Sequence, residues 1–136
     1  PQIPRGAADV IVALEPLEAL RVLTVYGNPE VSLLSNARSI DPMGVITGER
    51  DYPSEETIRV AFARLTARYW LFDATAVGLD LGNPVLSNIV MIGALAGTGL
   101  LPIDRRMFAK EIRKTRSPEK CSLNLKAFDA GFSIIK

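Results

Sequence analysis

The chain has 136 residues, of which 48% are hydrophobic, enough for one globular domain with a buried core. Its 16 Lys and Arg against 15 Asp and Glu leave a net charge of +1, which argues against a nucleic acid or an anionic membrane as the main partner. The sequence has no His, so it lacks the commonest general base. Its single Cys excludes internal disulfides, zinc clusters and iron–sulfur ligation within the chain. A reducing, cytoplasmic setting is expected.

The first predicted elements are a strand and a helix that meet without a loop. Val10–Leu14 is a continuous apolar run, typical of a strand that is covered on both faces in a parallel sheet. Pro16 suits the first position of a helix, because its φ is fixed and it has no N–H to leave unpaired. Glu15 lies between them, at the carboxyl end of the strand, where open α/β sheets usually bind ligands or partners.

A second strand, Val31–Asn36, follows a turn at Asn28–Glu30 and completes a β-α-β unit. Residues 37–52 contain Pro, two Gly and scattered charges, so they predict a loop. A short extended piece is expected within this loop, around Val45 and Ile46.

A helix and a third strand come next. Ser54 is the predicted N-cap of the helix, and Ile58, Phe62 and Leu65 are expected to face the core because they recur at helical spacing. The run YWLFDA predicts the third strand, with Asp73 at its carboxyl end.

Polar side chains thus follow all three predicted strands. Because the carboxyl ends of parallel strands share one edge of a sheet, Glu15, Asn36 and Asp73 are expected on a common rim. They are candidates for general acid–base or substrate-orienting groups. The alternative, which is favoured on residue chemistry alone, is that they cap helices and accept hydrogen bonds from loop N–H groups.

The next segment predicts a short helix, a Gly-Asn-Pro break and a longer helix that Asn83 caps, with Pro84 at its first position. The longer helix is apolar nearly all round, so it should be covered on more than one side, and the spacing of Gly93 and Gly97 permits close packing. Its apolar run is too short to span a membrane. Asn88 either contacts an anion or carbonyl at the helix start or is a buried amide paired with backbone.

Two further helices are predicted, capped by Asp104 and Ser117, the second weakening near Gly131. Cys121 is interpreted as a passive cysteine, because no His is available to activate it. The basic run Arg113–Arg116 could attract a phosphate-bearing cofactor, although a solvated helix end is the plainer interpretation.

Five motifs, in order, carry a family resemblance: ADVIVALEPLEALR, YPSEETI, FDATAVGLDLGNPVLSNIVMIGAL, GLLPI and NLKAFDAG. Together they resemble the gamma domain of the 2-oxoacid:ferredoxin oxidoreductases, and most closely the small beta subunit of its indolepyruvate branch. The resemblance covers nearly the whole chain. It implies one gamma-type domain over residues 1–136, with a three-layer fold in which helices flank a mostly parallel sheet. An N-terminal strand, Gly-rich turn and helix of the family pattern are expected to be missing, since the chain opens on Pro1.

The resemblance also implies a function. In this family a larger subunit carries thiamine diphosphate, Mg²⁺ and iron–sulfur clusters, and the complex decarboxylates a 2-oxoacid, reduces ferredoxin and transfers the acyl group to coenzyme A. This chain would hold no catalytic residue, metal or cofactor of its own. A rim facing the partner or a ligand would comprise Glu15, Asn36, Asp73, Thr75, Asn83 and Asn88. A stand-alone nucleotide- or coenzyme-A-binding module and a purely structural subunit remain the alternatives.

Overall fold

The computed structural model describes residues 3–39, 52–114 and 117–136. The chain divides into two units, the first ending at Phe72 and the second beginning at Asp73. The extended piece predicted at Val45 and Ile46, and Arg116 of the basic run, lie outside the described residues.

An all-parallel sheet forms the centre of the first unit. Within the described residues its strands are β1 (Val10–Ala13), β2 (Ser32–Asn36) and β3 (Arg68–Phe72), in the order β1-β2-β3. Parallel neighbours require a crossover, which α1 (Pro16–Tyr26) supplies between β1 and β2; α2 (Glu55–Leu65) precedes β3. The predicted α/β fold, with a parallel sheet and flanking helices, is therefore confirmed.

The core of the first unit lies where the sheet packs against α1 and α2. Ile58 and Phe62 of α2 are buried there, as predicted. The prediction for Leu65 is wrong, since 42% of this residue is exposed. Leu65 is the last residue of α2 and lines a shallow groove beside the turn at Asn28 and Pro29, beyond the part of the helix that the core covers.

The prediction that both faces of the first strand are covered holds for only one face of β1. Ile11 and Ala13 are buried in the core, whereas Val12 is 43% exposed and Leu14, just past the strand, 50%. Val12 and Leu14 are exposed because β1 is an edge strand of the described sheet. The central strand β2 is buried at all five of its residues.

The second unit is helical in its described residues. Its elements are α3 (Ala74–Asp80), a 3-10 turn (Pro84–Leu86), α4 (Ser87–Thr98), α5 (Arg105–Ile112) and α6 (Pro118–Ile135). The longer helix therefore starts at Ser87, later than predicted, because the residues from Pro84 wind into a tighter turn first.

The last helix does not weaken near Gly131, which lies well inside α6. This glycine is placed by packing against α4. A Cβ atom built on Gly93 would overlap the carbonyl oxygen of Phe128, and one built on Gly131 would overlap that of Val90. The two backbones thus touch, and α6 covers one side of α4 as the apolar pattern predicts. Ile92, at 37% exposure, marks a side of α4 that stays open.

We expect the change Gly93→Ala to destabilise the protein. Alanine at a helical glycine normally stabilises by up to about 1 kcal/mol. Here the added methyl group meets a main-chain oxygen that no rotamer change can move, so a net loss of about 1–3 kcal/mol is expected. Urea unfolding measures the loss.

The matched control is Gly97→Ala, one helical turn away on the same helix. Its methyl group would lie 2.9 Å from the Phe132 carbonyl oxygen, a much smaller overlap, so the expected loss is smaller. Equal unfolding free energies for wild type and Gly93→Ala would contradict the close contact of the two helices.

Candidate functional site

Glu15 is a buried carboxylate at the carboxyl end of β1, with 7% of the residue exposed. Its Oε2 accepts a hydrogen bond from the N–H of Glu18 at 2.8 Å, so the side chain caps α1. Its Oε1 accepts a hydrogen bond from the hydroxyl group of Tyr52. Both carboxylate oxygens are therefore engaged inside the first unit.

Asn36 ends the neighbouring strand and is also buried. Since Ala13 and Ser35 are register partners, Glu15 and Asn36 leave adjacent strands at the same end of the sheet, as the sequence predicts. The Oδ1 of Asn36 accepts the N–H of Arg38 at 3.3 Å. This side chain thus helps to shape the backbone that leaves β2.

A small cavity of about 210 Å³ lies at this end of the sheet. It is smaller than the roughly 300–1,000 Å³ of typical cofactor sites, and its lining mixes apolar side chains with the polar groups of Ser39, Tyr52 and Glu55. The lining residues are Pro16, Ala37, Ser39, Tyr52, Pro53, Glu55, Ile58 and Leu71. Such a cavity can hold water or a small polar group of a partner.

Asp73 and Thr75 belong to the start of the second unit. Asp73 is exposed and directly follows β3 in the chain, and its Oδ1 accepts the N–H of Ala76 at 2.8 Å, which caps α3. Thr75 lies in the first turn of the same helix and is half-buried. The carboxylate of Asp73 therefore has a local structural role, whatever else it contacts.

The two asparagines of the second unit differ in their surroundings. The Oδ1 of Asn83 accepts the N–H of Val85 at 3.0 Å, so Asn83 caps the 3-10 turn, whereas it was predicted to cap the long helix itself. Asn88 lies in the first turn of α4 and is exposed, so the alternative of a buried amide is wrong. Val85, three residues earlier in the chain, is 70% exposed.

A row of cations that the sequence reasoning missed lies along α5 and its C-cap residue, Arg113. We call Arg106, Lys110 and Arg113 the basic stripe; they line a groove of about 460 Å³ together with Arg105 and Ala109. Their spacing of four and three residues places them on one helix face, a signal that was readable in the sequence.

The neighbouring charges of α5 are paired. Arg105 donates to both carboxylate oxygens of Asp129, at 2.5 and 2.8 Å, and the hydrogen bond and charge of Asp129 raise the pKa of Arg105. Lys114 donates a hydrogen bond to Glu111 at 2.5 Å, and this contact lowers the pKa of Glu111. The charge of Lys110 lowers the same pKa by a smaller amount.

The described part of the chain contains no group of three or more His, Cys, Asp and Glu residues that could hold a metal ion. None of its helices is both long enough and apolar enough to cross a membrane. The Cys121 thiol donates to the carbonyl oxygen of Ile112 at 3.0 Å, linking α6 to the end of α5.

Comparison with known proteins identifies the family. The pyruvate ferredoxin/flavodoxin oxidoreductase family matches residues 1–134 of the chain. The chain belongs to this family. The resemblance read from the five motifs is thereby confirmed.

Curated relatives in the family carry the name indolepyruvate oxidoreductase subunit IorB. The protein from Pyrococcus horikoshii is 36% identical over 98% of this chain, and that from Methanothermobacter thermautotrophicus is 30% identical over 96%. In both cases the chain spans 66% of the relative's length.

Two solved structures share the fold. The keto/oxoacid ferredoxin oxidoreductase gamma subunit from Geobacter sulfurreducens aligns with a TM-score of 0.59 at 22% identity, covering 92% of this chain and 62% of that one. The pyruvate oxidoreductase subunit PORC from Thermotoga maritima aligns with a TM-score of 0.61 at 21% identity, covering 94% and 64%.

A double-mutant cycle tests the contact between Glu15 and Tyr52. Glu15→Ala removes a helix cap, expected to cost about 0.5–2 kcal/mol, and the hydrogen bond to Tyr52 as well. Tyr52→Phe removes only the hydroxyl group, at an expected cost of about 1–3 kcal/mol. Because the groups bond to each other, the two losses should not add, and a coupling free energy of about 0.5–3 kcal/mol is expected from urea unfolding.

The control for the hydroxyl group is Tyr26→Phe on α1, expected to change the unfolding free energy by less than about 0.5 kcal/mol. Additive losses from Glu15→Ala and Tyr52→Phe would show that the two side chains do not stabilise each other.

Proposed function

We propose that this chain is the small, gamma-type subunit or domain of a 2-oxoacid:ferredoxin oxidoreductase. The complex would oxidatively decarboxylate a 2-oxoacid to its acyl-coenzyme A, with release of carbon dioxide and transfer of the electrons to ferredoxin. The family match over residues 1–134 carries the proposal. The names of the curated relatives favour indolepyruvate or another aryl-pyruvate as substrate. A cytoplasmic complex would suit this chemistry.

The cofactors that the family resemblance implies do not fit the residues of this chain. An iron–sulfur cluster is usually held by four Cys thiolates, and the sequence has only Cys121. Among the described residues, no group of three or more His, Cys, Asp and Glu is placed to hold a metal ion. We therefore assign thiamine diphosphate, Mg²⁺ and the clusters to a larger partner subunit, and no chemical step on this chain involves them.

The polar residues at the carboxyl ends of the strands support a positioning role. Glu15 and Asp73 already accept hydrogen bonds from the first turns of α1 and α3, so proton transfer by either carboxylate would compete with a helix cap. Groups held in this way suit a surface of fixed shape. We propose that Asp73, Thr75, Asn83 and Asn88, which are at least partly exposed, face the partner that bears the thiamine. The buried Glu15 and Asn36 would fix the shape of the strand ends within the first unit.

Activity measurements test the proposed function. The purified protein that contains this chain should not reduce a viologen dye with indolepyruvate when its large partner is absent. Addition of the partner should restore reduction that depends on coenzyme A and a 2-oxoacid. Turnover without a partner would contradict the assignment, and saturable binding of coenzyme A by this protein alone would favour the stand-alone module.

Substitution of Asn88 tests its place in the interface. Because Asn88 is exposed, Asn88→Leu should leave the melting temperature within about 2 °C, as is usual for surface changes. If the partner contacts this amide, assembly should weaken on the order of tenfold, the loss expected when a buried polar partner is left unpaired. Pull-down with the large subunit and a thermal melt separate the two effects.

The matched control is Asn124→Leu on α6, where the amide already donates to the carbonyl oxygen of Lys120 at 2.7 Å. This variant should assemble normally. Unchanged assembly of Asn88→Leu would remove Asn88 from the proposed rim.

A further inference from the structure

The basic stripe concentrates charge that the composition of the whole chain conceals. Residues 105–114 hold five Lys and Arg and one Glu, a net charge of +4, in a chain whose net charge is +1. Arg113 lies seven positions after Arg106, a rise of about 10 Å along a helix axis. The three side chains thus form a compact positive surface on an otherwise acidic molecule.

The ion pairs on α5 involve the cations next to the basic stripe and not the three cations of the stripe itself. Asp129 neutralises Arg105, and Glu111 pairs with Lys114. Among the described residues, no carboxylate lies within ion-pair distance of Arg106, Lys110 or Arg113. Three exposed cations in line repel one another, which favours an external counter-charge.

We propose that the basic stripe is a docking surface for an acidic protein surface. Complementary charges steer association and fix the register of two partners, and the Arg guanidinium pairs with carboxylates through two parallel hydrogen bonds. Met107 lies beside the stripe on α5 and is 53% exposed, so the surface also offers the apolar contact that protein interfaces use.

Other anions fit this surface less well. Backbone N–H groups at a helix start strengthen many phosphate sites, but Asp104 caps the start of α5 with a carboxylate, and the stripe runs towards the negative end of the helix. Of the described residues that line the groove, only Ala109 is uncharged, and its side chain offers no hydrogen-bond donor. A nucleic acid would require a wider basic footprint than one helix face and more than a net charge of +1.

The inference rests on charge and exposure and does not depend on the oxidoreductase assignment. Its probe is a fluorescein-labelled peptide of alternating Glu and Ser, titrated by fluorescence anisotropy with the intact protein that contains this chain. The triple variant Arg106→Gln, Lys110→Gln, Arg113→Gln should bind the peptide on the order of tenfold more weakly. Binding to the unchanged protein should fall as NaCl is raised from about 50 to about 300 mM.

The matched control removes the same charge elsewhere, through Arg5→Gln, Arg64→Gln and Lys126→Gln, all at exposed positions. It should retain the affinity of the unchanged protein within about twofold. Equal losses in the two triple variants would overturn the proposal, because net charge alone would then explain binding. Absence of peptide binding would overturn it as well.

Competition with two other anions, pyrophosphate and single-stranded DNA, shows whether the stripe prefers an acidic peptide, a phosphate or a nucleic acid. Pyrophosphate that displaces the peptide at lower concentration than a second Glu-Ser peptide would identify a phosphate site instead. Single-stranded DNA that binds more tightly than the peptide, with loss in the stripe variant, would identify a nucleic-acid surface. Either result would overturn the assignment to an acidic protein surface, and weak competition by both supports it.

Discussion

Unpaired N–H groups at helix starts are the constraint on which the described structure depends. A helix leaves its first N–H groups without partners, and strands that run directly into helices have no loop to supply them. The chain meets this demand with side chains: Glu15, Ser54, Asp73, Asn83, Asp104 and Ser117 each accept a hydrogen bond from the turn that follows. Only α4 lacks its own cap among the described helices, because it continues the 3-10 turn that Asn83 has already capped.

Most of these caps could be predicted from the sequence, because a cap joins residues only two or three positions apart. Pro16 and the buried residues of α2 were predictable for the same reason, since helical spacing is a local pattern. Contacts between distant residues were not. Tyr52 lies 37 residues from Glu15, and nothing in the intervening sequence indicates their hydrogen bond.

The other differences between the predicted and the observed structure concern which sides of a strand or helix are covered by the rest of the chain. Apolar runs identified β1 and α4, but they could not show that β1 is an edge strand or that Ile92 stays exposed. The Gly93 and Gly97 pair indicated a close approach without naming its partner, which is the backbone of α6 at Phe128 and Phe132. For the candidate site, the sequence predicted that Glu15 and Asn36 share one end of a sheet. The residues of the basic stripe are three and four positions apart, so the stripe follows from helical spacing and does not appear as a consecutive basic run such as Arg113–Arg116.

The edge position of β1 has a consequence for handling the protein. Within the described residues β1 pairs only with β2, so its outer side presents amide and carbonyl groups beside the exposed side chains of Val12 and Leu14. Such an edge is a template for strand addition between copies. Deuterium exchange at its outward amides should be fast in dilute solution and should slow wherever a further strand, from this protein or another copy, is added to the sheet.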